Sequence, residues 1–224
     1  MRKFIAFTGV KESGKSSSFK FIKEAFPEVI EVTIAEKLKD TSSKAFNVPR
    51  NWFDDQNLKE RDLVTPVYLS PENVTALLNQ YPGYTWNYDT HVRPHVGQVL
   101  YSARRVAQYI GTEILRAVHP DIHCLEVVKN LPEDGIFIIT DMRFPNEFGF
   151  FQTAQSDNFF PLFITNYAAE AKLGAEPHAS EKYVLELGKK CEKIDNNGSL
   201  LDLREKVLTK YKEIISRKVL QRSS

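Results

Sequence analysis

Residues 9–16 have the sequence Gly9-Val10-Lys11-Glu12-Ser13-Gly14-Lys15-Ser16, which fits the phosphate-loop pattern G-x-x-x-x-G-K-[ST]. The apolar segment 4–8 comes before it and predicts a buried strand. After it, apolar residues recur at helical spacing until Pro27 ends the run. A strand before the loop and a helix after it form the context in which this pattern has physical meaning. A plain glycine turn is the structural alternative.

The residue types of this loop suit a phosphate chain. Its glycines let consecutive backbone N–H groups curl around phosphate oxygens at the positive end of the helix dipole. Lys15 adds an ammonium for the β- and γ-phosphates, and the Ser16 hydroxyl can ligate Mg²⁺. We therefore predict a nucleoside triphosphate site, with Ser16 as the metal ligand, formed by Gly9, Lys11, Ser13, Gly14, Lys15, Ser16 and Ser17.

Composition and charge limit the class of protein. The chain has 224 residues, of which 42% are hydrophobic and 26% are charged, enough for one α/β domain with a full core. The formal net charge of +1 gives no global field, so we expect no stable nucleic-acid binding and no membrane association. Two cysteines without metal-ligand spacing favour a reducing, cytoplasmic location. The sequence shows no signal peptide and no apolar run of about 18 residues.

Strand and helix patterns alternate along the chain. Strand patterns occupy 4–8, 29–34, 135–140, 160–165 and a segment near 192–194. Helix patterns occupy 35–46, 96–118, 121–130 and the segments that begin near Pro145 and after Ser199, the last with Leu200 facing inward. This alternation predicts a three-layer α/β protein, in which a parallel sheet of about five strands has helices on both faces. Ligands then lie beyond the carboxyl ends of the strands.

Residues 48–94 differ in character from the rest of the chain. They contain five prolines and only one convincing helix pattern, near 71–80. A segment of this length is too long for a simple loop, so we interpret it as a substrate-covering insertion rather than a partly ordered excursion. Its aromatic and histidine residues either stack on a base or pack a small core: Tyr84, Trp86, Tyr88, His91 and His95. The chain is predicted to be a single domain, 1–224, with this insertion and a lid at about 167–181.

A polar segment begins where the buried strand pattern 135–140 ends. Asp141 is expected at the same edge of the sheet as the phosphate loop, where it could hold a water on Mg²⁺ or accept a hydrogen bond from a substrate hydroxyl. Arg143 offers a planar guanidinium that suits a phosphate. Glu147 could orient that arginine or reach a sugar. A strand-to-helix turn with a local Asp–Arg pair is the structural alternative.

The helix pattern 96–118 carries a second polar cluster. Its members fall at i, i+4, i+7 and i+8, which predicts one shared face, with Arg105 beside it: Arg104, Gln108, Gly111 and Thr112. Two arginines and a glutamine suit a phosphate, a sugar and a base edge. A glycine inside a helix costs about 1 kcal/mol relative to alanine, so some gain should offset it. The alternative is a solvated helix face with a packing glycine.

Two further polar segments lie late in the chain. The lid 167–181 contains Lys172 and ends near His178, for which both a capping and a catalytic role are open. The turn 195–199 can cap a helix, and its backbone can also contact an adenine. Asn196 is therefore added to the nucleotide-binding residues.

Taken in order, these segments resemble the bacteriophage deoxynucleoside monophosphate kinases. The resemblance rests on 9–16, on R-x-x-x-Q-x-x-G-T from Arg104 to Thr112, on D-x-R-F-x-x-E from Asp141 to Glu147, and on segments 178–181 and 195–200. It spans nearly the whole chain, and residues 48–94 match least well. The two patterns that contain arginine are together more specific than the phosphate loop alone.

The resemblance implies a P-loop kinase fold and a homodimer. The implied reaction transfers the γ-phosphoryl of ATP, with Mg²⁺, to a deoxynucleoside 5′-monophosphate (dNMP) for phage DNA synthesis in the host cytoplasm. By matching positions, the monophosphate is surrounded by Arg104, Arg105, Gln108, Gly111, Thr112, Asp141, Arg143 and Glu147. The catalytic set is Lys15, Arg104, Asp141 and Arg143.

The chain departs from the resemblance in two places. Ser16 and Ser17 stand where some relatives have aspartate and threonine. The lid lacks the arginine expected over the transferring phosphoryl, and Lys172 or Lys11 would take its place.

Other functions remain open. A P-loop kinase of another small acceptor, similar to dephospho-coenzyme A kinase, would share the donor site. A nucleotide-binding regulatory protein with slow hydrolysis would need no acceptor pocket, and the arginine cluster argues against it. Polynucleotide kinase activity is disfavoured because no extended basic track is visible.

Overall fold

The computed structural model describes residues 1–172 and 179–217. The strands are β1 (Arg2–Thr8), β2 (Ile30–Val32), β3 (Asp62–Tyr68), β4 (Val99–Ser102), β5 (Gly135–Ile139), β6 (Phe159–Thr165) and β7 (Glu192–Asp195). The first helices are α1 (Lys15–Ala25), α2 (Glu36–Phe46), α3 (Asn51–Asp54), α4 (Pro71–Leu78), α5 (Tyr88–His91) and α6 (Ala103–Tyr109). A π-helix (Ile110–Leu115) continues α6 and is followed by α7 (Arg116–Val118), α8 (Ile122–Lys129), α9 (Pro145–Ala154), α10 (Tyr167–Ala171), α11 (Ala179–Gly188) and α12 (Leu200–Ser216).

The chain forms two compact units. The first, here called the sheet unit, consists of Met1–Ile34 and Asn130–Ser224. The second, the helical unit, is Ala35–Lys129. The predicted insertion at 48–94 lies within the helical unit, and its boundaries and covering role stay predictions. The lid at 167–181 likewise stays a prediction, and its residues 173–178, including His178, lie outside the described residues.

The sheet unit contains five parallel strands in the order β2-β5-β1-β6-β7. On one face, Ile5 of β1 packs in a core with Ile22 of α1 and Val207 of α12. On the other face, the Phe4 ring lies 5.2 Å from the Phe137 ring and 5.1 Å from the Phe151 ring of α9. Helices therefore cover both faces, as expected for a parallel sheet. The prediction of a three-layer α/β fold, with a parallel sheet of five strands and helices on both faces, is confirmed.

The carboxyl ends of the strands bring the predicted polar segments to one edge. β1 runs directly into the phosphate loop, and β5 ends two residues before Asp141. β6 ends just before Asn166, and β7 ends just before Asn196. Because all five strands are parallel, these four segments lie along the same edge of the sheet.

The helical unit has its own core around a two-stranded antiparallel ribbon of β3 and β4. Leucine and valine side chains of α2, α4 and α6 meet there, among them Leu38, Leu77 and Val106. Helix α4 begins with a capping box, because the Ser70 hydroxyl accepts the Asn73 N–H and the Asn73 side chain accepts the Ser70 N–H. Trp52 and Trp86 pack against this core at its margin.

Three local predictions were wrong. The helix expected over 96–118 begins only at Ala103, because Val99–Ser102 pairs with β3 as a strand. Leu100 and Ser102 are buried while Val99 and Tyr101 are exposed, an alternation too short to stand out in the sequence. β3 was missed within 48–94 because its seven residues do not alternate in burial: only Leu63 and Val67 are buried, and Pro66 interrupts the strand pattern. Leu200, expected to face inward, is 63% exposed because it is the first residue after the Ser199 cap.

Cys124 and Cys191, both within the described residues, form no disulfide. No helix in the described ranges is long and apolar enough to cross a membrane.

The π-helix is held by a buried histidine. The His123 ring is 7% exposed, and its Nε2 lies 3.1 Å from the Gly111 carbonyl oxygen. Burial lowers the pKa of His123 to about 4, so the ring is neutral near pH 7 and its Nε2–H donates to that carbonyl. A wide π-turn leaves carbonyls without their usual α-helical donors, and His123 supplies one of them.

His123 should make folding stability depend on pH. Its ordinary pKa is 6.5 and its folded pKa is about 4, so the unfolded chain binds a proton that the folded chain lacks between those values. Stability contributed by this group falls as pH drops through that window, by up to about 1.4 kcal/mol per pH unit. Urea unfolding of the wild type and of His123→Gln, followed by circular dichroism from pH 7 to 4, measures it. Glutamine keeps a donor without titrating, so its profile should be flatter; parallel profiles would contradict this.

Two helical glycines give a matched pair of stability predictions. A Cβ on Gly188 would lie 2.7 Å from two ring atoms of Phe163, whereas one on Gly149 of α9 meets no described atom within 4 Å. Gly188→Ala should therefore destabilise the fold by about 1–3 kcal/mol, because a rigid ring must shift. Gly149→Ala should stabilise it by up to about 1 kcal/mol through helix propensity. Thermal unfolding of both variants checks the difference; equal effects would contradict the packing argument.

Candidate functional site

The phosphate loop follows a path that only glycine permits at two positions. Gly9 and Gly14 have φ values of 147° and 107°. A Cβ on Gly9 would lie 2.7 Å from the Ile164 carbonyl oxygen, and one on Gly14 would lie 2.5 Å from Asn196 Nδ2. Gly14 is also the N-cap of α1, so it brings no side chain to the first N–H groups of that helix. Those N–H groups remain for an anion.

Lys15 keeps its ammonium inside the loop. Its Nζ donates to the carbonyl oxygens of Gly9 and Val10, each at 2.7 Å. Both acceptors are neutral, and a phosphate oxygen is a stronger acceptor because its hydrogen bond with an ammonium is charge-assisted. Lys15 is therefore placed where a phosphate chain can take over the bond.

The rest of the predicted nucleotide set surrounds this lysine. Lys11 and Ser16 are exposed, Ser17 is half-buried, and Ser13 is fully buried. The Ser13 hydroxyl has no hydrogen-bond partner among the described residues. The glycine-containing loop, the N-terminus of α1 and the Lys15 ammonium together fit a nucleotide phosphate chain. The exposed Ser16 hydroxyl, in the first turn of α1, is available to Mg²⁺. The described residues contain no group of three or more His, Cys, Asp or Glu side chains that could hold a metal by themselves.

Asn196 braces the loop from the neighbouring strand end. Its side-chain Nδ2 donates to the Ser13 carbonyl oxygen at 2.8 Å, and its own carbonyl accepts from Asn166 Nδ2 at 2.8 Å. The structure thus places Asn196 against the phosphate loop. Its contact with a nucleotide stays a prediction.

In the segment after β5, carboxylate side chains accept hydrogen bonds from backbone N–H groups. Asp141 Oδ1 accepts the Ile34 N–H at 2.8 Å. Glu147 is 4% exposed, and its Oε2 accepts the N–H groups of Arg143 and Phe144 at 2.8 and 3.0 Å. The two bonds to Glu147 cap the start of α9, so Glu147 fixes the backbone of Arg143. The Arg143 side chain is half-buried at the same sheet edge as the phosphate loop.

The second cluster lies in the helical unit, and the π-helix divides it. Arg104 Nη1 contacts Glu60 Oε1 at 2.6 Å, Arg105 is exposed and Gln108 is half-buried. The predicted shared face was wrong for Gly111, which is buried: a Cβ there would lie 2.8 Å from Leu38 Cδ2. The reason is the wide turn between Ile110 and Leu115, which rotates Gly111 towards the core and leaves Thr112 exposed. Substrate contacts by this cluster stay predictions.

Three residues near the phosphate loop make contacts that the sequence did not predict. Glu12 of the loop forms an ion pair with Lys172, N to O 2.7 Å. Asn166 caps α10, since its Oδ1 accepts the Ala169 N–H at 2.8 Å. An Asn just after a strand pattern is a typical capping signal that the sequence did offer.

Comparison with known proteins gives matches among solved structures but none among family models or curated proteins. No protein-family model matches the chain, and no curated protein matches it. Among solved structures, a dephospho-CoA kinase from Campylobacter jejuni aligns with a TM-score of 0.46 and 12% identity over 96% of this chain and 98% of that one. TT1252 from Thermus thermophilus aligns with a TM-score of 0.41 and 16% identity over 96% and 99%. Both likenesses are weak, and the fold is shown by the chain's own strand order and register.

Proposed function

We propose that this protein is a P-loop phosphotransferase that moves the γ-phosphoryl of ATP to a small phosphorylated acceptor, a deoxynucleoside 5′-monophosphate. The observation that carries the proposal is the Lys15 ammonium, 2.7 Å from two loop carbonyls inside a glycine cradle at the start of α1. This arrangement suits a nucleotide phosphate chain and little else.

The donor side follows from the loop. Amides of the loop and of the first turn of α1 bind the α- and β-phosphates, and Lys15 exchanges its carbonyl partners for phosphate oxygens. Mg²⁺, when bound through Ser16, supplies positive charge between the β- and γ-phosphates. Phosphoryl transfer asks the protein mainly for alignment and for positive charge where negative charge develops. The described residues of the loop supply both.

The acceptor side rests on arginines. A monophosphate that attacks ATP is itself an anion, so it needs cations to approach the donor and needs no strong general base. Arg143 follows β5, which pairs with β1, so it lies in the segment at the same sheet edge as the phosphate loop, and we assign its guanidinium to the acceptor phosphate. We assign Arg104 and Arg105 to the same acceptor and Gln108, Thr112, Gly111 and Glu147 to its surroundings. Asp141 is assigned to a substrate hydroxyl or to a water on Mg²⁺.

A second acceptor class fits the same fold. A dephospho-coenzyme A kinase-like reaction uses a hydroxyl as nucleophile, which requires a carboxylate to take its proton. Asp141 is a carboxylate at the correct edge of the sheet, and one of its oxygens already accepts the Ile34 N–H. The resemblance of the arginine patterns favours the monophosphate. It also leads us to propose a homodimer that serves phage DNA synthesis in the host cytoplasm.

An acceptor panel tests the proposed function. ADP release from ATP and Mg²⁺ is measured with each deoxy- and ribonucleoside monophosphate and with dephospho-coenzyme A. We expect turnover with one or more deoxynucleoside monophosphates. Turnover with dephospho-coenzyme A alone would establish the second class. Nucleotide binding without any acceptor would indicate a regulatory protein.

Lys15→Ala should lower turnover by about 100-fold or more, because the variant lacks the ammonium that the β- and γ-phosphates would contact. Its thermal unfolding should stay close to that of the wild type, since Lys15 is only half-buried. Lys20→Ala, an exposed lysine on the same helix, is the matched control and should leave turnover unchanged. Near-normal turnover of Lys15→Ala would remove the central role given to this residue.

Arg143→Ala should raise the KM for the monophosphate by about tenfold or more and leave the KM for ATP near its wild-type value, because a charge-assisted bond to the acceptor is lost. Steady-state kinetics with each substrate varied in turn measures the two KM values separately. Arg204→Ala, an exposed arginine on α12, serves as the control. A change confined to ATP would show that Arg143 belongs to the donor side.

A further inference from the structure

Glu12 places a negative charge within a loop built for anions. It is the one non-glycine residue of the described phosphate loop with a positive φ, 66°, and its side chain is 58% exposed. Lys172 Nζ lies 2.7 Å from Glu12 Oε2. The hydrogen bond and charge of Lys172 lower the pKa of the Glu12 carboxyl, which favours the carboxylate form of Glu12. The loop therefore carries a carboxylate that is neutralised by a lysine from outside it.

Helix α10 is attached to the phosphate loop at both of its ends. At its start, the Tyr167 N–H donates to Asn197 Oδ1 and Asn166 Nδ2 donates to the Asn196 carbonyl, each at 2.8 Å. Asn196 in turn donates to the Ser13 carbonyl of the loop at 2.8 Å. At the other end, Lys172 follows the helix and reaches Glu12. The position of the Lys172 ammonium is thus set by the loop itself.

Stability does not explain this ion pair. Both side chains are largely exposed, 70% for Lys172 and 58% for Glu12, and exposed ion pairs contribute little to folding stability. The pair Lys189–Glu186, at 2.6 Å and with exposures of 70% and 66%, is its counterpart on a surface away from the loop. What separates the two pairs is location: only Lys172 lies at the rim of a phosphate site.

We propose that Glu12 and Lys172 together let the site distinguish a nucleoside triphosphate from a diphosphate. Glu12 is a positioning residue that holds the Lys172 ammonium at the exposed rim of the loop, and Lys172 donates to the γ-phosphate. Loop amides bind the α- and β-phosphates, so a cation at the rim adds affinity only when a third phosphate is present. The proposal rests on the proposed nucleotide site and names residues that select its donor.

The experiment measures a ratio of affinities. Calorimetry with Mg²⁺ gives the Kd of a non-hydrolysable ATP analogue and of ADP for the wild type, Lys172→Met, Glu12→Ala and the double variant. Lys172→Met should weaken the ATP analogue by about tenfold while changing ADP by less than about twofold, as expected for loss of one charge-assisted bond. Glu12→Ala should reduce the ADP/ATP-analogue Kd ratio several-fold. It should have no further effect on that ratio in the Lys172→Met background, because Glu12 acts through Lys172.

Removing the Glu12 carboxylate takes a negative charge away from the phosphates, which would strengthen the binding of both nucleotides. The ratio of the two Kd values cancels this common effect. Lys189→Met is the matched control and should leave both Kd values unchanged. Equal losses for the two nucleotides, an unchanged ratio in Lys172→Met, or independent effects of the two substitutions would each overturn the inference and leave the proposed function intact. Absence of binding by either nucleotide to the wild type would overturn the donor half of the proposed function and this inference with it. Binding without any acceptor turnover would count against the acceptor half alone, because the ratio needs no acceptor.

Discussion

The absence of a Cβ atom at residues 9 and 14 is the constraint on which the site depends. At both positions the backbone has a positive φ, and a side chain would meet the Ile164 carbonyl or the Asn196 amide at less than van der Waals distance. Because the loop can pass so close to its neighbours, Asn196 reaches the Ser13 carbonyl and Lys15 folds back onto two others. The parallel sheet supplies the rest, since it brings the ends of β5, β6 and β7 to the same edge.

The cations at this edge have partners of two kinds. Lys15 is held by neutral carbonyl groups of its own loop, whereas Lys172 is held by a carboxylate. A neutral dipole gives up an ammonium to an incoming anion more readily than a carboxylate does, since the carboxylate's bond is charge-assisted. The carboxylates after β5 are used differently again, because Asp141 and Glu147 bind backbone N–H groups and fix the chain near Arg143.

Local patterns in the sequence were enough to predict the sheet unit. The phosphate loop, the buried strand before Asp141 and the Ser199 cap of α12 each carry their signal within a few residues. The helical unit was harder because its structure depends on distant contacts. β4 is four residues long and exists through pairing with β3, and the π-helix depends on Leu38 and His123 packing against Gly111. The contact between Glu12 and Lys172 joins residues 160 positions apart, and no pattern of spacing announces such a pair.

The two tryptophans of the chain, Trp52 and Trp86, both pack against the core of the helical unit, and the sheet unit contains none. Intrinsic indole emission therefore originates from one half of the molecule only. A spectral change on adding a nucleotide would therefore report on the surroundings of these two indoles. The native chain thus carries a built-in optical reporter of the helical unit, without an attached dye.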